Sequence, residues 1–413
     1  MSLKHAQQYD TIFEFLHTVW LQGRLISDFP RLEKFYIDTY KKAYTLEKVM
    51  ASILLPTQHT KGTYHPDTIC DSYPEAYQTP ELWSNNLNSS KHISLPSLKA
   101  VQGPVFVSLS GGVDSMVMTA LLKLNGTPVK AIHILYGNRT ESEEEYHFLQ
   151  EYCHRLDVPL YVYRIPYIRR TNIDRAFYEA MTRDLRFLTY QACATLTNTP
   201  PHVLLGHIQE DVVENIWTNI SKGQHLDNLA KMEIAEIQHG VTIMRPLLET
   251  TKDQIYAIST ALGIPYLKNT TPSWSNRGKF REHFHKATIH QYGPTIDRQM
   301  IAFSKSVQNT YSLVNDLLYK PIYTSFQNNQ INIQTALTVN LDVSHWIQIF
   351  THICHNFLQI HRPTIKAIQH FHERIYHPSF QKQKNLRVNM GSNLYITVQG
   401  HILTFHSVTS KDI

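Results

Sequence analysis

The middle of this sequence predicts an α/β fold centred on a doubly wound, parallel, five-stranded sheet. Five short runs rich in β-branched and aromatic residues alternate with amphipathic stretches of helical length, which is the pattern of repeated strand–helix–strand units. A glycine-rich turn follows the first run, at the kind of strand-to-helix junction where such sheets bind ligands. The predicted strands lie at 104–109, 129–135, 160–165, 202–207 and 241–247.

Segments of different character flank this predicted domain, which we place at residues 101–288. Residues 1–100 predict a helical extension, with two helices broken near Pro30, followed by an irregular linker over 56–95. Residues 289–413 predict a small α+β domain in which helices precede a three-stranded meander. Its helices are expected around 297–318, 345–359 and 364–375, and its strands at 386–390, 393–398 and 402–406.

The composition is typical of a globular chain. Of 413 residues, 42% are hydrophobic and 18% are charged, and no apolar run approaches the roughly 18 residues of a membrane helix. The N-terminal residues, which include Asp10 and Glu14, lack the layout of a signal or transit peptide. We therefore expect a cytoplasmic protein without a membrane partner. The four cysteines are scattered without a CxxC or CxxxC pair, so their spacing indicates neither a zinc site nor a redox pair.

The charge is modest overall but unevenly distributed. The formal net charge is +5, and residues 286–413 hold 11 Lys and Arg against 5 Asp and Glu. Such an excess favours a polyanionic partner, although a solvated surface with a chance excess gives the same count.

The turn after the first predicted strand has the sequence Ser110-Gly111-Gly112-Val113-Asp114-Ser115. Its glycines let backbone N–H groups approach an anion, its serines add hydroxyl donors, and the next helix contributes the positive end of its dipole. Asp114 is placed either to cap this helix or to hold the Mg²⁺ that accompanies ATP. The turn is neither a GxxxxGK[ST] nor a GxGxxG loop, and cleavage of ATP between the α- and β-phosphates fits it better. An ordinary glycine-rich turn is the simpler alternative.

These six residues match the whole S-G-G-x-D-S signature, so the sequence resembles the PP-loop ATP pyrophosphatases, whose fold is adenine nucleotide alpha hydrolase-like. Further segments resemble those of tRNA(Ile)-lysidine synthetases within that group. Residues 133–139 are similar to their H-V-N-H-G-L-R motif, with Tyr136 in place of the second His, and 182–187 are similar to A-R-x-x-R-Y. Residues 206–214 resemble A-H-H-x-D-D-Q-x-E, and 245–248, Lys252 and 263–266 follow at the family's spacing.

Three carboxylates, those of Glu210, Asp211 and Glu214, follow the fourth predicted strand, at the sheet edge where ligands bind. They are placed to orient Mg²⁺ or to hold and deprotonate an amine, although acidic residues also simply favour the first turn of a helix. Arg183 and Arg186 share a helix face and are placed to clamp phosphate or an adenylated base, with an ordinary surface role as the alternative.

A basic segment around Arg277, Lys279 and Arg281 resembles the family's R-N-x-I-R, with Gly278 in place of Asn. We expect these cations to contact RNA together with Arg183, and a basic solvated turn is the alternative. The resemblance further implies that His133 and His207 join the loop in binding nucleotide, that Asp114 and Asp211 hold Mg²⁺, and that Arg186 acts in catalysis beside the carboxylates.

The resemblance implies a ligase that adenylates a wobble cytidine of tRNA with ATP and then couples free lysine to it. Three substitutions depart from the family: Ile208 replaces His, Glu210 replaces Asp and Val212 replaces Gln. They leave three alternatives open: another PP-loop tRNA enzyme such as a thiolase, an amide-forming synthetase of small molecules, or a non-catalytic RNA-binding descendant. The oligomeric state is also open, a homodimer included.

Overall fold

The computed structural model describes residues 38, 41–56, 96–99, 101, 103–137, 142–166, 175–223, 232–267, 275–391 and 394–407. The chain divides into two compact units, with the change at Ile301 and Ala302, so the boundary expected at 288/289 falls within the first. Most of the predicted N-terminal helices and the linker from 57 onwards lie outside the described residues. Within them, helix α1 covers Leu46–Ser52, where Thr45 caps its first turn.

The predicted parallel sheet is confirmed in the first unit. Its order is β3-β2-β1-β4-β6-β5, and all pairs are parallel except β5 with β6. Among the described residues the sheet therefore has six strands, not five. The extra edge strand escapes prediction because none of its four residues is buried and they form no hydrophobic run. The strands are β1 (Val105–Ser108), β2 (Val129–Leu135), β3 (Leu160–Arg164), β4 (His202–Leu204), β5 (Ala235–Gln238) and β6 (Val241–Met244).

Helices cover both faces of this sheet, which confirms the doubly wound arrangement. Successive residues of β1 point to opposite faces, so Val105 and Val107 join one hydrophobic core and Phe106 the other. The first core also contains residues of α3, α4 and α7, and the second contains residues of α1 and α5. The helices after α1 are α2 (Pro96–Lys99), α3 (Val113–Leu124), α4 (Ser142–Arg155), α5 (Arg175–Leu196), α6 (Gln209–Ser221) and α7 (Lys252–Leu262).

The first unit ends in a helical region. Helix α8 (Asn276–Lys279) begins at Ser275, whose hydroxyl accepts the Gly278 N–H, and continues through a π-helical turn, Phe280–His285, into α9 (Lys286–Tyr292). Helix α10 (Ile296–Val314) contains the residue at which the two units divide.

The second unit is a small α+β structure, as predicted. Its sheet is antiparallel in the order β7-β10-β9-β8, so the expected three-stranded meander gains a fourth strand of only three residues. In its core, Phe371 packs edge to face against both Trp346 and Phe350. The strands are β7 (Gln330–Asn332), β8 (Asn385–Gly391), β9 (Leu394–Gln399) and β10 (Ile402–Ser407), and the helices are α11 (Lys320–Thr324), α12 (Gln334–Thr338), α13 (Val343–His352), α14 (Ile365–Ile375) and α15 (Pro378–Gln383). The π-helical turns Asn315–Tyr319 and Ile353–Leu358 extend α10 and α13.

A search of the described helices for one that is both long and apolar enough to cross a membrane finds none.

Candidate active site

The loop of residues 110–115 joins β1 to α3 and is braced by its own serines. Ser115 Oγ donates to the Gly112 carbonyl at 3.0 Å and accepts the Ser110 N–H at 3.2 Å. The two serine hydroxyls lie 3.2 Å apart, and Val113 is buried behind them as the first residue of α3. The turn is thus held in one shape at the positive end of a helix, which suits binding of an anion.

Two glycines allow the backbone to crowd around this loop. Gly111 has a φ of +86°, and a Cβ there would lie 2.5 Å from Leu267 Cδ1. Gly206, just after β4, lets that strand's end approach α3 so closely that a Cβ would lie 3.0 Å from the Ser115 backbone nitrogen. Gly206 opens the 206–214 motif, but the sequence alone gives it no role. A small residue at the end of the strand beside β1 is the available signal.

The two predicted histidines lie on neighbours of β1: His133 is within β2, and His207 follows β4. His133 Nδ1 donates to the Leu109 carbonyl at 2.8 Å, and burial lowers the pKa of His133 to about 4. His207 Nδ1 accepts the Arg245 Nε–H at 3.0 Å, because an arginine can only donate. Burial likewise lowers the pKa of His207 to about 4. Each ring is therefore neutral near pH 7 and has a defined tautomer.

Asp114 pairs with Lys252, a residue that the sequence offers as one of several candidates for phosphate contact. Lys252 Nζ lies 2.9 and 2.8 Å from the two carboxylate oxygens of Asp114. The Lys252 backbone N–H also donates to Glu210 Oε1 at 2.8 Å. The other oxygen of Glu210 is buried and has no hydrogen-bond partner among the described residues, and burial raises the pKa of Glu210.

The other two predicted carboxylates form a cluster with two predicted RNA-binding arginines. Arg277 contacts both Asp211 and Glu214, with its Nε 3.1 Å from Glu214 Oε2. Arg281 does the same, at 2.6 Å from Asp211 Oδ1 and 3.4 Å from Glu214 Oε2. The arginine side chains are 42% and 34% exposed, whereas those of Asp211 and Glu214 are 4% and 18% exposed. The cations thus lie on the open side of a buried acidic pair, rather than in a solvated basic turn.

The pKa values of the two carboxyl groups in this acidic pair shift in opposite directions. Burial alone would raise the pKa of Asp211, but Arg277 and the neighbouring charges hold that pKa below its ordinary range. Asp211 Oδ2 also accepts the Ile208 N–H at 2.9 Å. For Glu214, burial prevails over the same arginines and the pKa is raised.

The remaining predicted residues are less closely engaged. Arg186 is half-buried, its guanidinium lies 6.0 Å from the Phe187 ring, and its charge contributes to lowering the pKa of His207. Arg183 and Lys279 are exposed, and Arg183 donates to Gln238 Oε1 at 3.4 Å.

The donor set at Asp114 suits Mg²⁺ better than that at Asp211. Mg²⁺ in nucleotide sites is usually bound by one or two carboxylates together with phosphate oxygens. Asp114 belongs to the loop, its side chain is 20% exposed and it pairs with a single lysine. The side chain of Asp211 is 4% exposed and pairs with two arginines and the Ile208 N–H. Among the described residues, no group of three or more His, Cys, Asp and Glu side chains is arranged to hold a metal ion. A single carboxylate that shares Mg²⁺ with phosphates is compatible with that finding.

Comparison with known proteins agrees with this geometry. Residues 86–283 match the family model of the PP-loop domain. The chain is also similar to tRNA(Ile)-lysidine synthases. It is 31% identical to that of Chlamydia muridarum over 200 residues, 48% of this chain and 61% of the relative, and 31% identical to that of Chlamydia felis over 165 residues, 40% and 51%. The chain thus spans about half to three-fifths of these relatives' length. A solved U34-tRNA thiolase from Methanococcus maripaludis aligns at 16% identity over 56% of this chain and 82% of its own, with a TM-score of 0.42.

We predict that Gly111→Ala is more damaging than the same change at Gly126. Both glycines have positive φ, +86° and +75°, but only at Gly111 would the new methyl group meet Leu267; nothing lies within 4 Å at Gly126. Gly111→Ala should lower the free energy of unfolding by about 2–4 kcal/mol and Gly126→Ala by about 1–2 kcal/mol. Urea denaturation measures both, and equal losses would show that the loop is not crowded.

We predict that the protein loses stability as the pH falls from about 6.5 to about 4. The folded-state pKa of His133 and of His207 lies near 4, below the unfolded value of about 6.5, so the unfolded chain binds more protons in this window. Each histidine should contribute about 3 kcal/mol of this loss. His133→Gln should flatten the curve of unfolding free energy against pH, and the exposed-site control His154→Gln should not. A curve of unchanged slope in His133→Gln would contradict the assignment.

Proposed function

We propose that the PP-loop domain binds ATP and adenylates a carbonyl oxygen of a tRNA base, which an amine then displaces. The observation that carries this proposal is the approach of Gly206 to the first turn of α3. This approach brings the 110–115 loop close to the start of α6, the helix that holds Asp211 and Glu214. A loop that binds the leaving pyrophosphate and a site for an incoming cationic amine would therefore be adjacent.

In the first half-reaction, the base oxygen attacks the α-phosphorus of ATP, the bond to the bridging oxygen breaks and pyrophosphate leaves. The backbone N–H groups and hydroxyls of 110–115 would hold the phosphates, with His133 and His207 as neutral neighbours of the nucleotide. Mg²⁺, held through Asp114, would offset the charge of the phosphates. The lysidine synthase-like segments favour the C2 carbonyl of a wobble cytidine as the group that receives AMP. The carbonyl oxygen is a poor leaving group, and adenylation allows it to leave as part of AMP.

In the second half-reaction, the amine nitrogen attacks the activated carbon, the carbon–oxygen bond breaks and AMP leaves. Free lysine fits the charges of the acidic pair and its two arginines. The carboxylate of the lysine can face Arg277 and Arg281, and its ammonium can face Glu214. The raised pKa of Glu214 suits a general base that removes the amine's proton. Arg186, near His207, is placed to contact the adenylated base.

The second unit supports an RNA partner through its charge and its sheet surface. From Ala302 to Ser407 the sequence contains eight Lys and Arg and three Asp and Glu. On the outward face of the sheet, the Arg387 guanidinium lies 4.3 Å from the Tyr395 ring, and His406 stacks on that ring at 4.5 Å. Cations combined with aromatic rings are the side chains that bind RNA backbone and unpaired bases.

Two alternatives are less well supported. Thiolation requires a reactive thiol or a cluster, yet among the described cysteines burial raises the pKa of Cys193 to about 12 and of Cys354 to about 11. A non-catalytic descendant would not need an organised acceptor site. The substituted Ile208 and Val212 are buried, and the neighbouring carboxylates keep their ion pairs with Arg277 and Arg281.

The direct test is to incubate the protein with ATP, tRNA transcripts and radiolabelled lysine. We expect AMP to form and the label to enter RNA, whereas Asp114→Asn and Ser115→Ala should abolish AMP formation. Ser221→Ala, an exposed serine at the end of α6, is the matched control and should behave as wild type. AMP without labelled RNA for every tRNA tried would refute lysine as the nucleophile, and full activity of both loop variants would refute the loop assignment.

We predict that Arg387→Glu weakens binding of tRNA by about tenfold at low salt and reduces the salt dependence of that binding by about one counterion. The guanidinium is exposed on the sheet and does not belong to the proposed catalytic site. Lys305→Glu, the same change of sign on the exposed side of α10, is the matched control. Filter binding at several salt concentrations measures both variants, and equal effects would contradict a specific role for the sheet surface.

A further inference from the structure

Lys252 connects the loop with the first of the carboxylates after β4, through its side chain on one side and its backbone on the other. Its ammonium contacts both oxygens of Asp114, and its backbone N–H contacts Glu210. As the first residue of α7, it is positioned by the Thr251 cap, whose hydroxyl accepts the Gln254 N–H. The Gln209 N–H donates to the Thr250 carbonyl at 3.0 Å, which ties the starts of α6 and α7 together. The Lys252 backbone is therefore fixed, and only its side chain is free to change partner.

The charge of Asp114 creates a problem for an anion-binding loop. Its carboxylate lies in the first turn of α3, where the helix dipole and free N–H groups would otherwise attract phosphate. A bare carboxylate there would repel a triphosphate across a half-buried surface, where charges are weakly screened. The Lys252 ammonium removes this repulsion, since both side chains of the pair are only 20–27% exposed.

We propose that Lys252 is a positioning residue that neutralises Asp114 until Mg²⁺ arrives with the nucleotide. The Lys252 ammonium then leaves Asp114 and forms an ion pair with the phosphates. This inference rests on the proposed binding of ATP by the loop. Lys252 and Mg²⁺ are competing partners of one carboxylate, so the loop accepts phosphate in either state. The contact between the Lys252 backbone and Glu210 keeps the first turn of α6 in place during this exchange of partners.

The test is a double-mutant cycle on binding of ATP, measured by calorimetry without catalysis. In EDTA, Lys252→Met should weaken ATP binding by about tenfold, because Asp114 is then an uncompensated charge. The double variant Asp114→Asn/Lys252→Met should recover to within about threefold of wild type. With Mg²⁺, Lys252→Met should need less of the metal than wild type for half-maximal tightening of ATP binding.

Two controls separate this role from a structural one. Lys252→Arg keeps the positive charge and should bind ATP within about threefold of wild type. Lys123→Met removes a cation that pairs with Asp157 at the other end of α3, and should leave ATP binding unchanged. Unchanged binding in Lys252→Met, or a double variant as weak as Lys252→Met, would overturn the inference while leaving ATP binding itself intact. A wild-type protein that binds no ATP would overturn the proposed function, and this inference with it.

Discussion

The parallel pairing of β1 with β4 is the constraint on which the site depends. Phe106 pairs with Val203 and Val107 with Leu204, although nearly a hundred residues separate these strands in the sequence. Because the strands are parallel, both end at the same edge of the sheet, and the helices that follow them start side by side. The glycine-rich loop and α6, which holds Asp211 and Glu214, are neighbours for this reason. The absence of a side chain at Gly206 then permits their close contact.

Charge is balanced differently at the loop and at the start of α6. In the loop, the Asp114 carboxylate is matched by the Lys252 ammonium, which leaves the helix terminus free to attract phosphate. In α6, the two largely buried carboxylates of Asp211 and Glu214 are matched by two more exposed arginines. Removing only one partner of such a buried pair leaves a charge uncompensated, which is far more costly than the net benefit of the pair. The loop and α6 therefore both depend on complete pairs, and single substitutions should disturb the site more than double ones.

The sequence was sufficient to predict the parts of the fold that hydrophobic periodicity encodes. The five parallel strands and the helices over 296–314 and 365–375 follow from it. Strands β5 and β7 do not, because edge strands of only three or four residues are too short to give a periodic pattern. The 110–115 loop was recognisable because its residues are contiguous. The Asp211–Arg277 and Asp114–Lys252 contacts were not, since they join residues 66 and 138 positions apart and depend on tertiary packing. Arg277 and Arg281 were accordingly expected to face RNA alone, without the carboxylates that they contact.

The proposed function requires the loop to activate an RNA base with ATP before any amine is involved. Exchange of radiolabelled pyrophosphate into ATP, measured with and without tRNA and in the absence of lysine, is the sharpest test. We predict exchange that requires tRNA, because the adenylate forms on the nucleic acid. Exchange that is absent under both conditions, or that proceeds equally well without tRNA, would contradict it.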